Sequence, residues 1–145
     1  MHSAGRRSRR TRVGRHPLCR SYSLDGDHLE FWREKHHCTV TSLKPDGSPH
    51  VVPMGIVVDP DAGLAFGITS GRSQKVANLR RDPRVAVCQV DRGRWSTVEG
   101  TAEVLDDPES VADAVRRYAE RYRQPRENPE RIAVRITITR VIGNV

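Results

Sequence analysis

Turn-forming dipeptides punctuate this chain at short intervals, and between them lie runs too short and too β-branched for long helices. Pro45-Asp46-Gly47-Ser48 separates an expected strand over 39–43 from a longer one over 49–59. Pro60-Asp61-Ala62-Gly63 then leads into a strand over 64–69, and Arg92-Gly93 joins strands over 84–91 and 95–105. In the latter, Thr97, Glu99, Thr101 and Glu103 alternate with Ser96, Val98, Gly100, Ala102 and Val104, which predicts one wet face and one small, packed face. A sixth strand, 131–142, places Ile132, Val134, Ile136 and Ile138 together. Three helices fit between these elements. One runs from Asp27, with Glu30 completing a capping box, to His36; one spans 73–81 and stops at Asp82-Pro83; one starts at Asp107-Pro108. Val111, Val115, Tyr118, Ala119 and Tyr122 recur at helical spacing on the third and read as core. Six strands linked mostly by tight turns do not alternate with helices as a parallel α/β sheet requires. The expected fold is mainly β, a six-stranded antiparallel barrel with peripheral helices, since closure removes exposed edges.

Charge divides the chain in two. Of 25 Lys and Arg residues, seven arginines fall within residues 1–20, which hold no acid, and the remaining 18 face 18 acidic residues. The expected organisation is a basic, disordered tail over 1–24 and one domain over 25–145. A neutral body argues against nucleic acid as a partner. The tail lacks a signal peptide's apolar stretch, and no run is long and apolar enough to cross a bilayer, so no membrane association is expected. Three scattered cysteines, Cys19, Cys38 and Cys88, give neither a disulfide framework nor a metal motif, which fits a cytoplasmic protein. His36 and His37 are adjacent rather than one helical turn apart, so no metal site is expected. Nucleophile-elbow, Walker and dinucleotide-binding signatures are absent, so any catalysis depends on a bound organic molecule.

Two segments can carry such a molecule. The stretch Val51-Val52-Pro53-Met54-Gly55-Ile56-Val57-Val58 is apolar on both faces, yet holds a proline that cannot donate to a ladder and a glycine without a side chain. A flat ligand can lie against such a backbone; a bulged barrel strand without a ligand has the same pattern. In Thr69-Ser70-Gly71-Arg72-Ser73-Gln74-Lys75, Ser73 stands at a helix start where free N–H groups and the positive dipole end favour an anion. Lys75 and Asn78 share a face of that helix, and Thr69, Ser73 and Lys75 together suit a phosphate. A capped surface helix with solvated basic residues is the alternative.

Taken with Ser48-Pro49-His50-Val51-Val52, Gln89-Val90-Asp91, Arg94-Trp95, Glu99-Gly100 and the run Arg121-Tyr122-Arg123-Gln124-Pro125-Arg126 with Asn128-Pro129, these segments follow one another as in a known family. From about Leu29 to Gly143 the chain resembles the split β-barrel flavin and deazaflavin oxidoreductases related to pyridoxamine 5'-phosphate oxidase. Within them it is most similar to the branch using the deazaflavin coenzyme F420, especially the biliverdin reductases. The resemblance implies an F420H2-dependent reductase acting on a conjugated small molecule such as biliverdin, and a homodimer with cofactor clefts at the subunit seam. It implies that His50, Val52, Pro53, Met54 and Gly55 lie along the ring and that Thr69, Ser73, Lys75 and Asn78 hold the phosphate end. Arg81, with Arg72 and Arg80, is implied for the anionic tail, and Gln89 and Trp95 for closing the pocket. The chemistry belongs to the coenzyme, so no catalytic side chain is named, although His50 and Arg123 are conceivable proton donors. Arg121, Arg123, Arg126 and Arg131 would face a substrate's carboxylates; balancing Glu120, Glu127 and Glu130 is the competing role. Two other readings are an FMN-dependent oxidoreductase of the same fold, and a non-enzymatic carrier of flavin, F420 or a tetrapyrrole.

Overall fold

The computed structural model describes residues 24–145. Residues 1–23, most of the expected basic tail, lie outside the described residues; Leu24, its last position, is 2% exposed and packs in the core. The elements run α1 (Gly26–Arg33), β1 (Cys38–Leu43), β2 (Pro49–Met54), β3 (Ile56–Asp59), β4 (Leu64–Ser70), α2 (Gln74–Arg81), β5 (Arg84–Asp91), β6 (Arg94–Leu105), α3 (Pro108–Arg121) and β7 (Arg131–Gly143). All strands join one antiparallel sheet in the order β2-β1-β5-β6-β7-β4-β3.

The strand count is seven, not six. The stretch expected as one strand over 49–59 is divided at Gly55: β2 pairs with β1 at one margin of the sheet, and β3 pairs with β4 at the other. Pro53 has no N–H to donate, and Gly55 accepts a change of direction without side-chain conflict. The two margins are therefore consecutive in the chain, and the barrel is split between them.

One face of the sheet forms the core. Ile56, Ala65, Val87, Val98 and Ile136 are fully enclosed, and each large aliphatic side chain so buried contributes roughly 1.5–3 kcal/mol. The alternation expected in β6 is present, with Ser96, Val98 and Ala102 buried. Between Glu99 and Gly100 the pairing with β7 slips, from Glu99↔Arg140 to Gly100↔Ile138, so Thr139 is an extra residue in β7. A Cβ at Gly100 would stand 1.9 Å from the Thr137 carbonyl oxygen, so the bulge requires glycine there.

The helices lie outside. Helix α1 buries Phe31 and Trp32, and Trp32 Nε1 donates to Ser96 Oγ at 2.9 Å. Its N-cap is Asp25, two residues earlier than the expected capping box, and Asp27 sits in the first turn beside the positive helix end. Helix α2 is anchored by Val76, Asn78 and Leu79 against β1 and β6. Helix α3 begins as expected: Asp107 Oδ2 accepts the Ser110 N–H at 2.9 Å, with proline in the first turn. It packs on β3, β4 and β7, so its C-terminal end lies over the split.

Candidate functional site

A cleft of about 270 Å³ opens where β2 gives way to β3. Pro53, Met54, Gly55, Ile68, Tyr118 and Pro125 make its apolar part; Thr69, Ser70, Lys75, Asn128 and Arg131 supply polar groups. The register explains why these residues meet. β4 runs beside both β3 and β7, with Thr69 opposite Ile132 and Ser70 opposite Arg131, so β4 delivers its hydroxyls and the start of α2 next to the split.

Lys75 is the informative side chain. It is half-buried, burial lowers its pKa, and it has neither a hydrogen bond nor an ion pair among the described residues. A cation withdrawn from water without a counter-charge is costly unless an anion joins it. Ser73 occupies the N-cap of α2 as expected, but its Oγ makes no capping bond and is buried without a partner. Ser73 itself does not line the cleft, whereas the unmatched Lys75 cation beside the Thr69 and Ser70 hydroxyls fits an anionic ligand group.

The cleft wall also depends on a close approach. A Cβ at Gly55 would fall 2.8 Å from Tyr118 Cε2 and 3.1 Å from Tyr122 Cε2, so only a bare backbone lets the helix rings lie on the strand. The two rings are 4.9 Å apart and tilted by 30°. Tyr118, read from its spacing as core, instead lines the cleft. Asn128, which entered only through the family resemblance, and Ile68, which has no local sequence signal, also line the cleft without being named as site residues.

Of the residues named from the sequence, Pro53, Met54, Gly55, Thr69 and Lys75 line this cleft. His50 lies further along β2, half-buried, and its Nδ1 is enclosed without a partner. Val52 packs against the core. Asn78 is fully buried: its Nδ2 donates to Ser42 Oγ at 3.1 Å, and its Oδ1 accepts from Gln74 Nε2 at 2.8 Å. Arg81 donates to the Leu43 carbonyl, tying α2 to β1. Gln89, also fully buried, donates to the Phe31 carbonyl at 2.7 Å and accepts from Arg121 at 2.7 Å. Trp95 stands at the start of β6, opposite Val90 and away from the cleft lining. Arg123 and Arg126 are exposed, whereas Arg121 is drawn inward.

Two other features lie away from this cleft. A larger hollow, about 390 Å³, lies on the outer sheet face among Thr41, Leu43, Ala86 and Gly100, but it is mainly apolar and lacks a comparable unmatched cation. Among the described residues, Glu34, His36 and Asp91 bring potential ligand atoms within 4.8 Å of one another. Arg94 already spans both carboxylates, at 2.8 Å to Glu34 and 2.5 Å to Asp91, and with His36 it holds the Glu34 carboxyl down at about 2. This is an ion-pair cluster fastening α1 to the β5–β6 turn.

Residues 24–144 match the family described as pyridoxamine 5'-phosphate oxidase. An F420H(2)-dependent biliverdin reductase of Mycobacterium tuberculosis (strain CDC 1551 / Oshkosh) is 45% identical over 121 residues, covering 83% of this chain and 88% of that protein. A conserved hypothetical protein of Mycobacterium tuberculosis has a similar structure, with a TM-score of 0.69 and 28% identity over 86% of this chain and 87% of its own. An F420 reductase superposes with a TM-score of 0.68 and 21% identity, over 81% of this chain and 98% of its own.

Proposed function

Because the chain belongs to the pyridoxamine 5'-phosphate oxidase family, we propose that it is an F420H2-dependent reductase of a conjugated small molecule, with biliverdin as the acceptor that its 45% identical mycobacterial relative suggests. The observation that carries this reading is the cleft itself: unmatched Lys75, with the Thr69 and Ser70 hydroxyls, is joined to a strip of nearly bare backbone at Pro53–Gly55. One part suits a phosphate and the other a planar ring. When bound, the reduced deazaflavin supplies the two-electron reducing power. The protein's own contribution is positional. Lys75 and the hydroxyls fix the anionic end, Gly55 lets the ring plane approach, and Tyr118 and Pro125 exclude water beside it. Exposed Arg123 and Arg126, together with cleft-lining Arg131, supply cations for an acceptor's carboxylates.

A homodimer belongs to the same reading. The outer face of β2, β1 and β5 leaves Val51 58% and Val90 54% exposed, and the apolar hollow around Thr41, Leu43 and Ala86 lies on that face. A second copy covering it would hide an apolar patch that water otherwise wets. The free thiols of Cys38 and Cys88 support a reducing, cytoplasmic setting; no described helix is long and apolar enough to cross a membrane.

Side-by-side titrations with F420 and FMN, followed by mixing with F420H2 and biliverdin, test the proposal. F420 should bind more tightly, and adding biliverdin should restore the oxidised deazaflavin absorbance. Preference for FMN, or binding without turnover on biliverdin or other conjugated acceptors, would reject it.

A further inference from the structure

The split leaves Ile56 at the start of an edge strand, where its backbone groups have β4 on one side only. A buried N–H or C=O without a partner is costly, so what meets them there matters. Side chains meet both groups. The Ile56 N–H donates to Tyr122 Oη at 3.3 Å, and the Ile56 carbonyl accepts from Arg121 Nη1. Arg121 Nη2 also reaches the Glu34 carbonyl at 2.6 Å and Gln89 Oε1 at 2.7 Å. Tyr122 Oη lies 3.3 Å from the carbonyls of both His36 and Ile56, to one of which it donates. Burial pushes the Tyr122 phenol up to about 12, so it keeps its proton across the working pH range.

Two adjacent side chains at the end of α3 therefore tie together the end of α1, strand β5 and the first residue of β3. That residue follows Gly55, against which the rings of Tyr118 and Tyr122 lie. We propose that Arg121 and Tyr122 are positioning residues for the cleft: they clasp the Ile56 backbone at the open seam and so set Met54 and Gly55 at the wall where the ligand ring would rest. The planar guanidinium is needed because one group must serve acceptors on three elements, which a lysine's single ammonium does not match. Its choice of ligand rests on the F420 reading; the clasp itself rests only on the geometry above.

The test compares Tyr122→Phe, which keeps the ring and removes the hydroxyl, and Arg121→Lys, which keeps the charge and removes the fork, with Val98→Ala, a core truncation away from the cleft lining. For each, the thermal midpoint, the F420 dissociation constant by fluorescence titration and amide hydrogen exchange over residues 54–58 are measured. The two clasp variants should bind F420 about five- to thirtyfold more weakly and exchange faster at Ile56. Val98→Ala should melt earlier with unchanged F420 affinity. Wild-type F420 affinity in both clasp variants overturns the proposal, and so does an equal loss of affinity in Val98→Ala. Should Arg121→Lys fail to fold, Tyr122→Phe decides. Should the wild-type protein not bind F420, the functional reading fails, and exchange at Ile56 alone judges the clasp: faster in Tyr122→Phe supports it, unchanged refutes it.

Discussion

Replacing Lys75 by methionine separates binding from folding. The ammonium is half-buried with no partner among the described residues, and burial depresses its pKa. A lysine whose folded pKa lies below its unfolded value opposes folding while it is charged; that cost is relieved only as pH rises through the folded value. At neutral pH the unliganded Lys75→Met protein should consequently melt at the wild-type temperature or slightly above it. Binding should move the other way. A charge-assisted hydrogen bond to an anion contributes about 1.5–3 kcal/mol, equivalent to roughly 10- to 150-fold in Kd. Fluorescence titration of F420 at pH 7.5 and constant ionic strength, paired with thermal melts, reads both quantities. Wild-type affinity should weaken in alkali, as Lys75 loses its proton at a pH below the ordinary lysine value, and the variant should lack that limb. A variant that melts far lower, or one that binds F420 as tightly as wild type, would refute the assignment of an anion site.

Three further perturbations probe the frame around the cleft. Gly100→Ala drives a methyl group to 1.9 Å from the Thr137 carbonyl oxygen, and urea denaturation should show a loss above about 3 kcal/mol or no folded protein. Ser96→Ala removes the acceptor of the buried Trp32 N–H, and the same assay should register about 1–3 kcal/mol. Glu34→Gln removes a carboxylate held at about 2 by Arg94 and His36. The stability that Glu34 lends is present above its unfolded pKa and is lost as pH falls toward 2, so this variant should show a shallower acid limb in melts between pH 5 and 2.

Local chemistry made part of the site readable. The Pro53–Gly55 stretch and the Thr69–Lys75 turn each show their peculiarity within a few residues, and both reach the cleft. The strand count failed at the same place, since a glycine in an apolar run does not reveal that the chain changes sides of the sheet. Asn78 and Gln89 show the limit of reading polar residues as ligand contacts: a polar side chain on an inward face also serves to satisfy buried backbone and hydroxyl groups. Tyr118 shows the reverse limit. Its helical spacing with Val111, Val115 and Tyr122 identifies a packed stripe, but where that stripe ends against Gly55 depends on how α3 lies over β3 and β4, which no window of sequence contains.

The outermost strands of an open sheet ordinarily fray independently, each peeling from its own neighbour. Here β2 and β3 are those two strands, joined by the single residue Gly55. Peeling either one must drag on the other across the tether, so breathing of the sheet's borders is a shared event, and a molecule that bridges them quiets both at once.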